Sequence, residues 1–184
     1  MVVLVKIFFI RHGRTQSNKE GKMMGQTIDE PLSEEGIEQV KKMLPFLPRH
    51  FDVIISSPLR RTAQTAIIIS EHRKVPIIYM EELKERNYGT LAGMKIEELP
   101  GLDKSTTDID EQIKTVDFKA HGGESEEEMK KRLAKALDLI KSEYKGKTVL
   151  MVGSGGTLFY MHHVFPQEER KEIANASIHE FIFD

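Results

Sequence analysis

Short, strongly apolar runs alternate with segments of helical periodicity along most of this chain. Each apolar run is rich in β-branched or aromatic residues, which predicts a buried strand. Strands are predicted at Lys6–Ile10, Phe51–Ser56, Val75–Tyr79, Lys147–Val152 and Ser177–Phe183. The segments between them favour helices, and this alternation is typical of a mostly parallel sheet with helices on both faces.

Several of the helices have recognisable local signals. Ser33 can cap one helix. Ser125 and Glu128 have the spacing of a capping box. The helix that follows carries an apolar, core-facing stripe made of Met129, Leu133, Leu137, Ile140 and Tyr144. A well-buried helix is predicted through Ala66–Ile69, and another is predicted to begin near Leu158.

Length and composition narrow the classes of function. A chain of 184 residues fits one compact domain, so residues 1–184 are interpreted as a single domain with a polar, lid-like insertion at about 94–123. The net charge of −2 argues against nucleic-acid binding and against a polybasic membrane surface. Cysteine is absent, which excludes disulfides, thiolate metal sites and thiol nucleophiles.

The apolar N-terminus, Val2–Ile10, differs from a signal peptide. It has no basic region before it and no small-residue cleavage pattern after it, and Lys6 interrupts it. No stretch of the sequence approaches the length of a transmembrane helix. We therefore expect a cytoplasmic protein that does not associate with membranes.

Polar residues gather where the first predicted strand ends. Two arginines, a histidine, a threonine, a serine and an asparagine occur within residues 11–18. Ligands bind at the carboxyl ends of the strands in an open α/β sheet. Arg11 and Arg14 flank His12, and two guanidinium groups beside an imidazole would suit a phosphoryl group. The alternative is a polar loop in which His12 is merely hydrogen-bonded, and this motif alone leaves both interpretations open.

Three further segments bear on whether this is a phosphate site. Arg60 and Arg61 follow the second predicted strand, so a parallel sheet would bring them to the same edge as His12. Glu85 taken alone is more typical of a solvated surface group. Residues 94–123 form an insertion of a length that often covers an active site.

Together these pieces resemble the histidine phosphatase superfamily, which includes the cofactor-dependent phosphoglycerate mutases. The resemblance covers most of the chain and keeps the order of the family's motifs. These are Arg11-His12-Gly13 with Thr15 and Asn18, Pro31-Leu32-Ser33 with Gly36, Ser56-Ser57-Pro58-Leu59-Arg60-Arg61-Thr62 with Gln64-Thr65-Ala66, Glu85-Arg86-Asn87-Tyr88-Gly89, and Gly123-Glu124-Ser125. The resemblance implies a three-layer α/β/α sandwich with a mostly parallel central sheet, as in phosphoglycerate mutases.

The resemblance also implies a mechanism through a phosphohistidine, with no metal and no other cofactor. His12 would attack phosphorus, and Arg11 and Arg61 would hold the phosphoryl oxygens. Glu85 would give a proton to the leaving alcohol and then help to activate water. Covalent capture splits one difficult displacement into two easier steps, and arginines stabilise the charge of the transition state. The substrate-binding candidates that the resemblance adds are Thr15, Asn18, Arg86, Tyr88, Ser154 and Gly155.

The family pattern fails at one position. After the strand Val149–Val152 the family has a second histidine, whereas this chain has Ser154. Serine is neutral and shorter, although it can still donate one hydrogen bond. Loss of one preorganised donor typically costs about 10²–10³ in rate, so reduced activity is expected. His121, just before the Gly-Gly-Glu-Ser turn, is a candidate replacement donor.

Four functions are compared. We favour a phosphatase acting on a small phosphorylated metabolite, because residues 94–123 lack the arginine pair that a mutase of this family uses. Phosphoglycerate mutase-type phosphoryl transfer and a phosphate-ligand-binding pseudoenzyme are the alternatives. A fourth interpretation makes Ser154 the nucleophile of a serine hydrolase, with an acid in Glu168–Glu172 and His179 as the histidine, but Val152 stands where that motif has its first glycine. The natural substrate is not predicted, and the oligomeric state is left open, with a homodimer as one option.

Overall fold

The structure is a computed structural model that describes residues 5–164 and 172–183, with the side chains of Asp110 and Phe183 left aside. Residues 2–4 of the predicted apolar N-terminus therefore lie outside the described residues. The strands are β1 (Val5–Arg11), β2 (Val53–Ser56), β3 (Ile77–Tyr79), β4 (Thr148–Gly153) and β5 (Ile178–Phe183). They form one sheet in the order β3-β2-β4-β1-β5. The pairs β1–β4, β2–β4 and β2–β3 are parallel and β5 runs antiparallel to β1, so the predicted mostly parallel sheet is confirmed.

The helices fill the connections between these strands. They are α1 (Gln16–Lys19), α2 (Glu34–Met43), α3 (Arg60–Arg73), α4 (Ile109–Lys114), α5 (Glu126–Glu143) and α6 (Gly155–Val164). Short 3₁₀ helices occur at Leu44–Phe46, Glu81–Leu83, Gly89–Leu91, Ile96–Glu98 and Lys119–His121. The predicted caps are present, since the Ser33 hydroxyl accepts a hydrogen bond from the Gly36 amide and Ser125 forms a capping box with Glu128.

Two helix predictions need correction. The helix predicted to begin near Leu158 begins at Gly155, directly after β4 and Ser154. Glycine is a poor helix former, so Gly155 and Gly156 give no sequence signal for the first turn of this helix. In α3, Ala66 and Ile69 are buried but Ile67 is 41% exposed. Consecutive residues of a helix point in different directions, so Ile67 lies on a different face of α3 from Ala66 and Ile69, and that face is partly exposed.

The core lies in two layers on opposite faces of the sheet. Successive strand residues point to opposite faces, so Phe9 belongs to one apolar cluster and Ile10 to the other. The first cluster packs α5 and α6 against the sheet through side chains such as Leu133 and Leu158. The second packs α2 and α3 through side chains such as Val40 and Ile69. This arrangement is the predicted α/β/α sandwich.

Residues 94–123 contain more structure than a polar, irregular loop. They carry α4 and two of the 3₁₀ helices. Val116 and Phe118 belong to a third apolar cluster, in which the rings of Phe118 and Tyr88 lie 4.7 Å apart. Gly89 has a φ of +57°, and a side chain there would collide with the His121 carbonyl. The insertion is therefore packed tightly on the loop that carries Glu85.

None of the helices within the described residues has both the length and the apolar character that crossing a bilayer requires.

Candidate active site

A cavity of about 320 Å³ is bordered by side chains that follow the carboxyl ends of β1 and β2 and by the start of α6. Its wall includes many of the residues selected from the sequence. Those on the wall are Arg11, Asn18, Arg61, Glu85, Arg86, Tyr88 and Gly155. His12, Thr15 and Ser154 are not among the lining residues and are buried. The structure therefore joins four separate stretches of sequence at one place.

The His12 ring is held in one tautomer. His12 is only 2% exposed. Its Nδ1 lies 2.7 Å from the Gly13 carbonyl oxygen, which can only accept, so Nδ1 carries the proton. The Nε2 atom then keeps its lone pair, and it has no hydrogen-bond partner within the described part of the chain. Burial lowers the pKa of His12 well below 6.5, and the charges of Arg61 and Arg11 lower it further.

The backbone around His12 is fixed from three sides. The His12 amide donates to the Gly153 carbonyl of β4 at 3.0 Å. The His12 carbonyl accepts from the Asn175 side chain at 3.0 Å and from the Ala176 amide at 3.2 Å. Gly13 passes so close to α2 that a β-carbon would collide with the Gly36 carbonyl and the Val40 side chain. The position of the imidazole is thus determined by the sheet and by the turn before β5.

Arg61 is the buried member of the arginine pair. It is 1% exposed, and its Nη2 and Nη1 donate to the carbonyls of Gly25 at 2.8 Å and Ile28 at 3.3 Å. Its Nε is buried without a hydrogen-bond partner among the described residues. Burial lowers the pKa of Arg61, while the charge of Glu85 acts in the opposite direction. Arg60, by contrast, is exposed at the start of α3.

The loop that orients Arg61 was not recognised from the sequence. Gly25 has a φ of +58°, and a β-carbon there would lie 2.8 Å from the Tyr88 ring. Gln26 donates from its side chain to the Glu85 carbonyl at 2.8 Å. Glycine within a polar loop was the available signal, but nothing in the sequence shows which carbonyl meets which arginine.

Arg11 reaches the cavity from the end of β1. Its Nη1 donates to the Ile173 carbonyl at 2.6 Å. Its Cζ would lie 3.2 Å from a β-carbon at Gly155, so the glycine allows the guanidinium to approach the first turn of α6 closely. The positive end of that helix dipole adds to the charge of the arginine.

Glu85 is buried, in contrast to the surface position that is typical of a lone glutamate. Its Oε1 accepts from the Arg86 amide at 2.8 Å, and its Oε2 accepts from the Gly156 amide at 3.0 Å. A methyl group at Gly156 would collide with the carboxylate. The start of α6 therefore orients the glutamate, and this is why the helix begins with two glycines.

Arg86 is braced on its inner side. Its Nε donates to the Glu124 carbonyl at 2.8 Å, and its Cζ lies 4.5 Å from the centroid of the Phe118 ring. Burial lowers its pKa from the ordinary arginine value. Its two terminal nitrogens have no hydrogen-bond partner within the described residues, and the side chain lines the cavity.

Thr15 and Asn18 have different positions. The Thr15 hydroxyl caps α1 by accepting from the Asn18 amide at 3.2 Å, and Thr15 does not reach the cavity wall. The Asn18 Oδ1 accepts from the Thr15 amide at 3.2 Å and from the Asn175 side chain at 3.3 Å. Because the oxygen is occupied twice, the amide NH₂ of Asn18 is the group available to a ligand.

Ser154 lies beneath the cavity rather than on its wall. It is 0% exposed, and its hydroxyl has no hydrogen-bond partner among the described residues. The same holds for the hydroxyl of Thr157 in the first turn of α6. His121, the candidate replacement donor, does not line the cavity.

The serine-hydrolase interpretation gains no support. Both ring nitrogens of His179 have other partners, His162 at 2.9 Å and Ser177 at 2.8 Å. Residues 168–171 of the suggested acidic segment lie outside the described residues. Ser154 therefore has no histidine bound to its hydroxyl in the described part of the chain.

Much of the remaining wall was also not predicted. Ile109, Ile113 and Lys114 come from α4 in the insertion, and Phe159 and His163 come from α6. The length of the insertion predicted a cover for the site, but the sequence did not indicate which of its residues face inward.

Comparisons with known proteins agree with this geometry. A model of the histidine phosphatase superfamily (branch 1) matches residues 7–184. The chain is 31% identical to the uncharacterized phosphatase PhoE of Bacillus subtilis, across 84% of this chain and 74% of that protein. It is 33% identical to phosphoserine phosphatase 1 of Hydrogenobacter thermophilus, across 81% of this chain and 70% of that protein.

A solved structure shows the same fold. The crystal structure of a phosphoglycerate mutase from Bacillus anthracis superposes with a TM-score of 0.81 at 24% identity, covering 98% of this chain and 88% of that one. The motifs, the fold and the family match agree with one another. The chain belongs to branch 1 of the histidine phosphatase superfamily.

Proposed function

We propose that this histidine-phosphatase-type phosphatase hydrolyses phosphomonoesters of small metabolites through a phosphohistidine formed on His12. One observation carries the proposal. A buried imidazole with its lone pair on Nε2 is held under the electrostatic influence of Arg11 and Arg61, and both arginines share a cavity wall with Glu85.

In the first step His12 Nε2 attacks phosphorus and the bond from phosphorus to the ester oxygen breaks. The leaving alcohol takes a proton from the Glu85 carboxyl group. The low pKa of His12 supports this step, because the imidazole is unprotonated and nucleophilic at neutral pH.

In the second step water attacks the phosphohistidine and the nitrogen–phosphorus bond breaks. The Glu85 carboxylate accepts the proton of the attacking water, inorganic phosphate leaves, and His12 returns to its neutral form. The two amides that orient Glu85 fix its carboxylate at the edge of the cavity, and because they donate to the ionised form they support its role as the base.

Charge on the phosphoryl oxygens is balanced by Arg11 and Arg61, with further donors from Asn18 and Arg86. Tyr88 and Gly155 complete the wall around the bound group. Ser154 stands where the family has its second histidine, but its buried hydroxyl does not line the cavity. The transition state therefore lacks the donor that an imidazole would supply at this position, so the proposed turnover is slow for this family.

The test compares phosphate release by the wild-type chain with that of two histidine variants. His12→Ala should remove activity and should also remove the phosphoryl adduct that mass spectrometry detects after rapid mixing with substrate. His50→Ala is the matched control, because its side chain is 78% exposed at the opposite end of β2. Activity that persists in His12→Ala would overturn the mechanism.

A phosphate-ligand binder with little turnover is the second candidate, and Ser154 is the observation that favours it. Thermal stabilisation by inorganic phosphate, measured beside phosphate release, separates the two. Stabilisation with no release from any phosphomonoester supports the binder, whereas release above the His12→Ala background supports the phosphatase.

The partner that this proposal implies is a small phosphorylated metabolite, with neither nucleic acid nor membrane involved. The net charge of −2 supports that view. The proposal also includes a cytoplasmic location, with which the absence of cysteine is compatible. Cell fractionation tests the location, and sedimentation of the purified chain tests the homodimer option.

A further inference from the structure

The cavity has two chemically different ends. Arg11, Arg61 and Glu85 form one end, which the proposed function assigns to the phosphoryl group. The residues contributed by the insertion, α5 and α6 are largely apolar. They include Ile96, Ile109, Ile113, Met129 and Phe159.

The lysines on this wall are already paired with glutamates. Lys22 lies 2.6 Å from Glu20, and Lys130 lies 2.5 Å from Glu126. Each glutamate balances the charge of its lysine, so these pairs give the wall no net positive charge for a second anionic group of the substrate. The wall away from the phosphoryl end therefore contains no unpaired lysine within the described residues.

The ammonium group of Lys114 is occupied by contacts with other residues of the wall. Its Nζ lies 3.3 Å from Glu111, 2.8 Å from His163 Nε2 and 5.1 Å from the centroid of the Phe159 ring. These contacts tie α4 of the insertion to α6 across the cavity. The aliphatic part of the Lys114 side chain and the Phe159 ring therefore contribute apolar surface to the cavity wall.

Ile109 provides the clearest sign of what this end accepts. It lines the cavity and yet is 51% exposed. A ligand whose apolar group covers this exposed surface gains binding free energy, whereas a polar group gains none from it. A cavity of about 320 Å³ is near the lower limit for small-molecule sites, so the covering group is small.

We propose that the preferred substrates are phosphomonoesters of small, uncharged, apolar alcohols, whose alkyl group packs against Ile109, Ile113 and Phe159. This inference rests on the proposed function and specifies its substrate class. The competing possibility is a substrate with a carboxylate, which the terminal nitrogens of Arg86 would bind.

The experiment compares three primary-alcohol esters, so that the leaving groups have similar chemistry. They are 3-methylbutyl phosphate, glycerol 3-phosphate and phosphoserine. We expect kcat/KM for 3-methylbutyl phosphate to be about tenfold higher than for the other two, the scale that small apolar contacts produce in a pocket.

Two isoleucine variants test the wall itself. Ile109→Asn should lower kcat/KM for 3-methylbutyl phosphate about tenfold, mainly through KM, and should change the value for glycerol 3-phosphate less than twofold. Ile67→Asn is the matched control, because Ile67 is 41% exposed on α3 and does not line the cavity. It should leave both values unchanged.

The outcomes separate the inference from the function. Faster hydrolysis of phosphoserine or glycerol 3-phosphate overturns the inference and leaves the phosphatase intact. If none of the three releases phosphate, the thermal stabilisation that each ester provides decides the inference. Strongest stabilisation by 3-methylbutyl phosphate supports it, and any other order overturns it, while the proposed hydrolysis is decided separately by the comparison with His12→Ala. Equal effects of Ile109→Asn on all three esters also overturn the inference.

Discussion

At the scale of single residues, the proposed chemistry requires that the buried imidazole of His12 stays neutral. Burial, Arg61 and Arg11 all lower the pKa of His12, while only the bond to the Gly13 carbonyl acts in the opposite direction. We therefore expect NMR titration of the ring to show a pKa well below 6.5. A titration at or above 6.5 would contradict the burial and charge that the structure gives this residue.

The same shift has a consequence for stability. In the unfolded chain His12 takes up a proton near pH 6.5, but in the folded chain it does so only at lower pH. Below pH 6.5 unfolding therefore binds a proton, and the free energy of unfolding falls as the pH falls. Chemical denaturation between pH 7 and 5 should show this slope in the wild type, and His12→Gln should reduce it.

Ser154 is the residue at which reactivity can be raised. Ser154→His restores an imidazole next to the arginine end of the cavity, and we expect kcat to rise about 10²–10³-fold, the typical value of one preorganised donor. Ser154→Ala is the matched control and should not raise kcat. Initial rates of phosphate release measure both, and an unchanged kcat in Ser154→His would mean that another group already supplies the donor.

At the scale of elements, the turn before β5 positions groups that belong to the other end of the sequence. Asn175 donates to the His12 carbonyl and to the Asn18 Oδ1. We expect Asn175→Ala to lower kcat/KM about fivefold, because one hydrogen bond contributes about 1 kcal/mol. The fall should come with weaker inhibition by inorganic phosphate, since Asn18 is no longer oriented towards the ligand.

A double-mutant cycle distinguishes this positioning role from a general loss of structure. If Asn175 acts through Asn18, then Asn175→Ala should have little further effect in an Asn18→Ala background. Additive losses in kcat/KM would show that Asn175 does not act through Asn18, and would assign its effect to the His12 carbonyl instead.

The elements also show which parts of the sequence were informative. The strands and the capped helices followed from apolar runs and from Ser33 and Ser125, because these signals are local. The start of α6 did not, because Gly155 and Gly156 are there for the close approach of Arg11 and Glu85, which are remote in sequence. A residue chosen for a distant contact violates the local preferences on which sequence prediction depends.

At the scale of the whole molecule, the end of the cavity that carries Arg11, Arg61 and Glu85 was predictable and the opposite end was not. His12, Arg61 and Glu85 each belong to a motif that follows a predicted strand or forms a shaped loop. The apolar wall depends on how residues 94–123 fold back over α6, and the contacts of Lys114 with Phe159 and His163 have no counterpart in the order of the sequence. Thr15 shows the reverse error, since it shares the first motif but serves as a helix cap.

Burial of the Arg61 charge in the proposed site lowers the free energy of unfolding of the whole molecule. A comparison of Arg61 with Arg132 measures this effect. Arg61 is buried with an unpartnered Nε, whereas Arg132 forms two bonds to Glu124 and two to the carbonyls of Glu82 and Lys84. Removing Arg61 leaves the Gly25 and Ile28 carbonyls without a donor but also relieves the cost of burying a charge that has no ion-pair partner among the described residues, so the two effects oppose each other. Removing Arg132 breaks a satisfied ion pair, which is destabilising.

We therefore expect Arg61→Met to leave the free energy of unfolding of the ligand-free protein within about 1 kcal/mol of wild type, and to abolish the stabilisation that inorganic phosphate provides. Arg132→Met should lower the free energy of unfolding by about 2 kcal/mol or more and retain the response to phosphate. Chemical denaturation with and without phosphate measures all four values. If Arg61→Met proved the more destabilising variant and still responded to phosphate, Arg61 would be a structural residue, and the assignment of the phosphoryl end of the cavity would fail with it.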